Sequence, residues 1–189
     1  MMKKILTSVT VLIVVLTFLG CQKAEPYPVT VQTWKSYKDV ATYMESNWSF
    51  DKSTQRQYIQ KLRKYKQLNG GDLSDYTVSE LSMTPKEAYN SGSGFCGDSA
   101  VLIKDALNKI NPSYNAKIIF IWNGYGKPHH WVTGFYVEDK LYVMDYGTGS
   151  HWSEMMGTHG PYNSLDEYGE FLKTVNANNF KFGSVEWRD

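Results

Sequence analysis

Near the middle of the chain, Gly92-Ser93-Gly94-Phe95-Cys96-Gly97-Asp98-Ser99-Ala100 runs a glycine-loosened loop into a helix that begins at a cysteine. Cys96, Ala100, Ile103, Leu107 and Ile110 follow the 4-3-4-3 spacing of one helical face. Asp98, Lys104, Asp105 and Lys109 take the other sides. The spacing places Cys96 in the first turn of a buried helix, facing inward. There the unpaired backbone N–H groups and the positive end of the helix dipole favour a thiolate. The plain alternative is a structural cysteine, buried as a small hydrophobe. Residues downstream decide between the two.

The chain of 189 residues is long enough for one domain with a full core. It opens with a targeting segment. Lys3 and Lys4 precede an apolar run from Ile5 to Leu19, shorter than the ~20 residues that span a bilayer. The sequence Phe18-Leu19-Gly20-Cys21 resembles the lipobox of bacterial lipoproteins, with Phe18 where leucine is usual. The resemblance implies that Cys21 becomes the first mature residue and carries lipid. The expected organisation is a lipoprotein signal peptide over 1–20, a proline-containing tether over 21–33 and a domain over 34–189. The domain then works outside the cytoplasm, anchored in the cell envelope. The chain has only two cysteines, so acylation of Cys21 leaves Cys96 without an intramolecular partner. Loss of the leader takes Lys3 and Lys4 from the 20 basic side chains, leaving 18 against 19 acidic ones, a net −1. So even a balance, with no basic run, gives no reason to invoke nucleic acid.

Taken in order, Ser36 to Trp48 reads as a helix with Val40, Tyr43, Met44 and Trp48 on one face. Ser53 opens a second helix to about Leu68, with Ile59, Leu62 and Tyr65 inward, stopped by Asn69-Gly70-Gly71. Thr84-Pro85-Lys86-Glu87 is a capping box with proline at the first helical position. After the Cys96 helix, strands are expected over 116–122, 130–137, 141–146 and 180–187. A glycine-rich stretch without regular pattern covers 147–163, and Ser164 caps a helix to about Val175. Helices first and then strands define an α+β class.

A thiol nucleophile needs a base and a group that orients the base. His130 opens one strand and Asp145 closes the next. With the hairpin turning at Glu138-Asp139, Asp145 lies opposite Val132 and His130 is its diagonal neighbour on the same face, within reach. With the turn at Asp139-Lys140, Asp145 lies opposite Gly134, on the same face. Either parity sends His129 to the other face. His129, His151 and His159 read as loop or surface histidines. No metal-ligand spacing such as His-Glu-x-x-His occurs, so neither metal nor cofactor is expected.

These residues carry a second resemblance. Gly94-Phe95-Cys96-Gly97-Asp98-Ser99-Ala100, then His130, then Asp145 one hairpin later, resemble the transglutaminase-like core, a papain-like fold of thiol enzymes. Thr84-Pro85-Lys86-Glu87-Ala88 resembles the entry to that motif. The resemblance covers about 80–148, extends loosely over the helices before it and hardly reaches 149–189. The chain departs from bacterial peptidase-like members at Phe95 and Gly97, where acidic residues are common. The implied fold packs N-terminal helices, one bearing the nucleophile, against an antiparallel sheet. The implied roles are Cys96 as nucleophile, His130 as proton shuttle and Asp145 as orienter. A peptide or protein amide, such as a cell-wall peptide, would be hydrolysed or transferred through a thioester. The Cys96 N–H is an oxyanion donor on this reading, with Asn90 and Gln67 as candidates for a second. Trp131, Trp122 and the 147–163 stretch would wall the cleft of an expected monomer. The competing expectation is a binding module that keeps the fold without turnover. A cell-wall endopeptidase using Cys-His-His is disfavoured, because the third position here is Asp145.

Overall fold

The computed structural model describes residues 26–70 and 78–189. The leader, Cys21 and the first part of the expected tether lie outside the described residues. Among the described residues no helix is long and apolar enough to cross a membrane.

Seven α-helices and seven strands make up the regular structure of the described residues, most helices preceding most strands. The first half holds α1 (Tyr27–Thr33), α2 (Tyr37–Asn47), β1 (Ser49–Phe50), α3 (Lys52–Asn69), α4 (Val78–Leu81), α5 (Pro85–Ser91), β2 (Ser93–Gly94) and α6 (Cys96–Ile110). The second half holds β3 (Lys117–Asn123), β4 (His130–Val137), β5 (Lys140–Asp145), β6 (Gly157–Tyr162), α7 (Leu165–Thr174) and β7 (Phe182–Trp187). The class is α+β, as expected. Strands β3 to β7 form one antiparallel sheet in the order β6-β5-β4-β3-β7. The short β1 and β2 pair in parallel beside the loop that leads to Cys96.

The helix boundaries follow their caps. Ser36 accepts from the Lys38 N–H while Asp39 reaches back to the Ser36 N–H, and this starts α2. Thr84 and Glu87 bond each other's backbone N–H, as the capping box requires. Gly70 stops α3 at a φ of 62°, a left-handed backbone that glycine adopts without a Cβ penalty.

The sheet is covered on both sides. Strand alternation sends Ile118, Phe120 and Trp131 toward Phe95, Ala100 and Val101 of the α6 region. It sends Ile119, Ile121, Val132, Leu141 and Val143 toward Tyr168 and Leu172 of α7. Helix α6 is buried along most of its length and bonds the sheet directly, with the Thr133 hydroxyl donating to the Ala100 carbonyl at 2.8 Å.

Four readings need correction. Residues 27–33 are not a tether: Tyr27 and Val31 are buried in the core with Ala106 and Leu107, and the Tyr27 hydroxyl donates to Asp105 at 2.6 Å. Two prolines obscure the short apolar spacing there. Ile59 does not face inward; it is 38% exposed, because α3 turns Leu62 to the core and leaves Ile59 on the rim of a cavity. Asp98, read on a side of the helix away from the apolar face, is itself buried. The 147–163 stretch is ordered as a 3-10 helix over Ser150–Met155 followed by the edge strand β6, whose short glycine- and proline-bearing sequence carries no alternation to read.

Candidate active site

The site lies where the N-terminus of α6 meets the ends of β4 and β5. Phe95 occupies the N-cap position without a side-chain acceptor. Asp98 takes over that role: its Oδ2 accepts from the Phe95 N–H at 3.1 Å and its Oδ1 from the Met83 N–H at 2.8 Å. Burial raises the Asp98 pKa, and the two backbone donors work against that rise. Asp98 thus ties the Cys96 loop to the segment before α5. The close packing at Gly94 is part of the same arrangement, since a Cβ there would lie 2.7 Å from Asp98 and 2.9 Å from Trp48.

The β4–β5 register is the first of the two weighed above. Val137 pairs with Lys140 and Thr133 with Met144, so the chain turns at Glu138-Asp139 and Asp145 lies opposite Val132. His130 and Asp145 then share a face. The His130 Nε2–H donates to Asp145 Oδ2 at 2.5 Å, with both side chains essentially out of solvent. The other Asp145 oxygen, Oδ1, accepts from the Gly147 N–H at 3.1 Å. With Nε2 occupied by Asp145, Nδ1 is the ring nitrogen left for Cys96, which lines the same cavity and interacts with the ring electrostatically.

Burial by itself would hold the His130 ring neutral. The Asp145 charge, the hydrogen bond with Asp145 and the nearby Cys96 outweigh it, and the His130 pKa is pushed up to about 10. Trp152 packs edge-on against the ring at 5.3 Å between centroids and screens it from water. Its own indole N–H donates to the Asn178 carbonyl at 3.1 Å.

Gly147 sets the distance between the sheet and the helix. A Cβ at this position would fall 2.2 Å from the Cys96 Cα and 2.7 Å from the Ser99 Oγ. The chain leaving β5 therefore passes directly against the first turn of α6, and only a glycine permits it. The sequence signal was available: a glycine two residues after a candidate orienting aspartate.

Two cavities open on Cys96. One, of about 330 Å³, is walled by Tyr58, Ile59, Leu62, Phe95, Phe120 and Trp131, with Lys127, Pro128 and His129 at its mouth. Burial, with Lys127 and Arg188 nearby, lowers the His129 pKa, so this histidine favours the neutral form. The other cavity, of about 440 Å³, is walled by His130, Thr148, Ser150, Trp152, Asn178 and Asn179, with Lys52 at its edge. Gln55, Cys96 and Pro128 border both.

The structure thus brings Cys96, His130 and Asp145 together and places Trp131 in the cleft wall. It does not bring Asn90 or Gln67 to Cys96: both are exposed, and neither lines a cavity there. Gln55, which sequence reasoning passed over, lines both cavities with Cys96 instead. It lies one helical turn before Tyr58 and Ile59 on α3, and no spacing tied that helix to Cys96. Among the described residues no cluster of three or more His, Cys, Asp or Glu side chains converges to hold a metal.

A helix-borne cysteine set against a sheet-borne histidine–aspartate pair is an arrangement of the cysteine-enzyme kind. The profile of a family described as a transglutaminase-like domain matches residues 29–151, well over half of the chain, and the chain belongs to that family. The match begins within α1 and so runs further toward the N-terminus than the motif resemblance did. No curated protein matches the chain.

Proposed function

We propose that this protein is a thiol enzyme that cleaves or transfers an amide acyl group through a Cys96 thioester, with hydrolysis as the preferred outcome. The observation that carries the reading is one buried imidazole, bonded through Nε2 to Asp145 and lining the same cavity as Cys96. With the proton held on His130, the Cys96 Sγ attacks the carbonyl carbon, forming the S–C bond. The C–N bond then breaks, and His130 gives the proton to the departing nitrogen. Water attacks the thioester, its proton passes to His130 and on to Sγ, and the carboxylic acid leaves. An amine in place of water gives transfer.

The developing oxyanion needs donors beside Sγ. The Cys96 N–H is at the first position of α6, where a helix leaves its N–H groups without intrahelical partners. Gln55 supplies the second donor on this reading, as the uncharged amide side chain bordering both cavities at Cys96. The leader and the lipobox-like Phe18-Leu19-Gly20-Cys21 support export and lipid anchoring at Cys21, which places the activity at the cell envelope.

The test needs no substrate. Iodoacetamide alkylation of the full chain at pH 6, located by peptide mapping, reads the nucleophile directly. Cys96 is expected to react at least tenfold faster than in the His130→Ala variant. Equal, slow rates in both proteins overturn the enzyme reading in favour of a binding module. Once a substrate is in hand, Cys96→Ser is expected to abolish turnover while leaving the far-UV circular dichroism unchanged.

A further inference from the structure

The two cavities at Cys96 differ chemically because β4 alternates. Successive residues of this strand face opposite sides of the sheet, so His130 lines the polar cavity while Trp131 lines the apolar one. Only the nucleophile, Gln55 and Pro128 are common to both. The reaction therefore has a direction along the cleft. The departing nitrogen must lie where His130 can protonate it, on the polar side. The acyl group is held to the same carbon by a different bond, roughly a tetrahedral angle away. It is directed from His130 toward the cavity that His130 does not line.

We propose that the apolar cavity is the acyl-side subsite, and that the substrate is an amide or peptide whose acyl part carries a bulky, uncharged side chain of the leucine or phenylalanine type. The inference rests on the acyl-transfer reading above and names the substrate class for it. The cavity, at about 330 Å³, is large enough for such a group. Its walls are aromatic and aliphatic: Tyr58, Phe95, Phe120 and Trp131 on the inside, Ile59 and Leu62 along α3. Tyr58 and Phe95 pack at a tilt with centroids 4.4 Å apart, and Phe120 and Trp131 likewise with centroids 4.3 Å apart, so the walls are already packed against one another. Among the described lining residues the formal charge is Lys127, which is exposed and repels a cationic side chain. A carboxylate would have to exchange water for these rings. The leaving side meets Thr148, Ser150, Asn178 and Asn179, which suit a polar amine product.

The test uses N-acetyl-dipeptidyl fluoromethyl ketones in which both acyl residues are leucine, glycine, glutamate or lysine. Each rate of Cys96 alkylation on the full chain is divided by the iodoacetamide rate of the same protein, with the adduct mapped to Cys96. The leucine probe is expected to react at least tenfold faster than each of the other three, the scale on which an apolar pocket discriminates. Ile59→Asp, at a position exposed enough to accept the change, is expected to lower the normalised leucine rate about tenfold. Equal rates across the panel, or a preference for a charged probe, overturn the subsite while leaving the thiol reading intact. A leucine preference that survives Ile59→Asp unchanged also overturns it. A Cys96 that resists iodoacetamide and all four probes overturns the thiol reading, and this inference with it.

Discussion

At the scale of single residues, His130 couples the site to the stability of the fold. The unfolded imidazole has a pKa of ~6.5, whereas in the folded protein it is pushed up to about 10. A group held more protonated in the native state stabilises that state fully below the lower value, and the contribution is lost as pH rises through the upper one. The urea midpoint of the wild type is therefore expected to fall between pH 6.5 and pH 10 by more than that of His130→Gln, which has no proton to lose. Parallel curves for the two proteins would show that the ring is not held charged. Asp98 illustrates the same scale in another way. Its bond to the Phe95 N–H is local to the helix start, but its second bond, to the Met83 N–H, joins segments fifteen residues apart and has no local signature.

At the scale of elements, the β4–β5 hairpin decides the site. A one-residue slip of β5 would turn Asp145 to the other face of the sheet and away from His130. The turn holds the register with Glu138 and Asp139 at φ of 50° and 60°, the left-handed geometry in which a two-residue hairpin turn matches the strand twist. Neither residue is a glycine, and a left-handed backbone costs about 1 kcal/mol for a residue with a Cβ. Asp139→Gly is accordingly expected to stabilise the protein by about 1 kcal/mol in chemical denaturation, with His130-dependent alkylation retained. A destabilised Asp139→Gly protein would mean that the exposed Asp139 side chain contributes more than its backbone costs.

At the scale of the whole molecule, the domain is larger than its motif. Helix α1 closes the core beside α6 and α5: Tyr27 packs on Tyr89 with centroids 5.2 Å apart, its hydroxyl bonds Asp105, and the Lys109 ammonium lies 4.9 Å from its ring centroid. Truncating a buried aromatic side chain to alanine costs about 3 kcal/mol or more. Tyr27→Ala is expected to lose about that much in denaturant titration. A loss under 1 kcal/mol would return residues 27–33 to the role of a tether. The cleft is likewise a property of the assembled layers. Its nucleophile comes from α6, its base and orienter from the sheet, its apolar wall partly from α3, and the screen over His130 from the 3-10 helix after β5.

The sequence by itself determined the α+β class, the start of α6 at Cys96, the Thr84–Glu87 capping box, the limits of β4, and the shared face of His130 and Asp145. Each of these is written in local periodicity or in a capping pattern, where neighbours a few residues apart carry the whole signal. Tertiary structure alone decided which hairpin register held, that Asp98 bridges two segments, that Gly147 must lack a Cβ, and that Gln55 rather than Asn90 or Gln67 lines the cavities at Cys96. It also decided that 27–33 belongs to the core and that two unlike cavities meet at Cys96. These depend on contacts between segments tens of residues apart, and burial of one surface against another leaves no mark on the spacing within either.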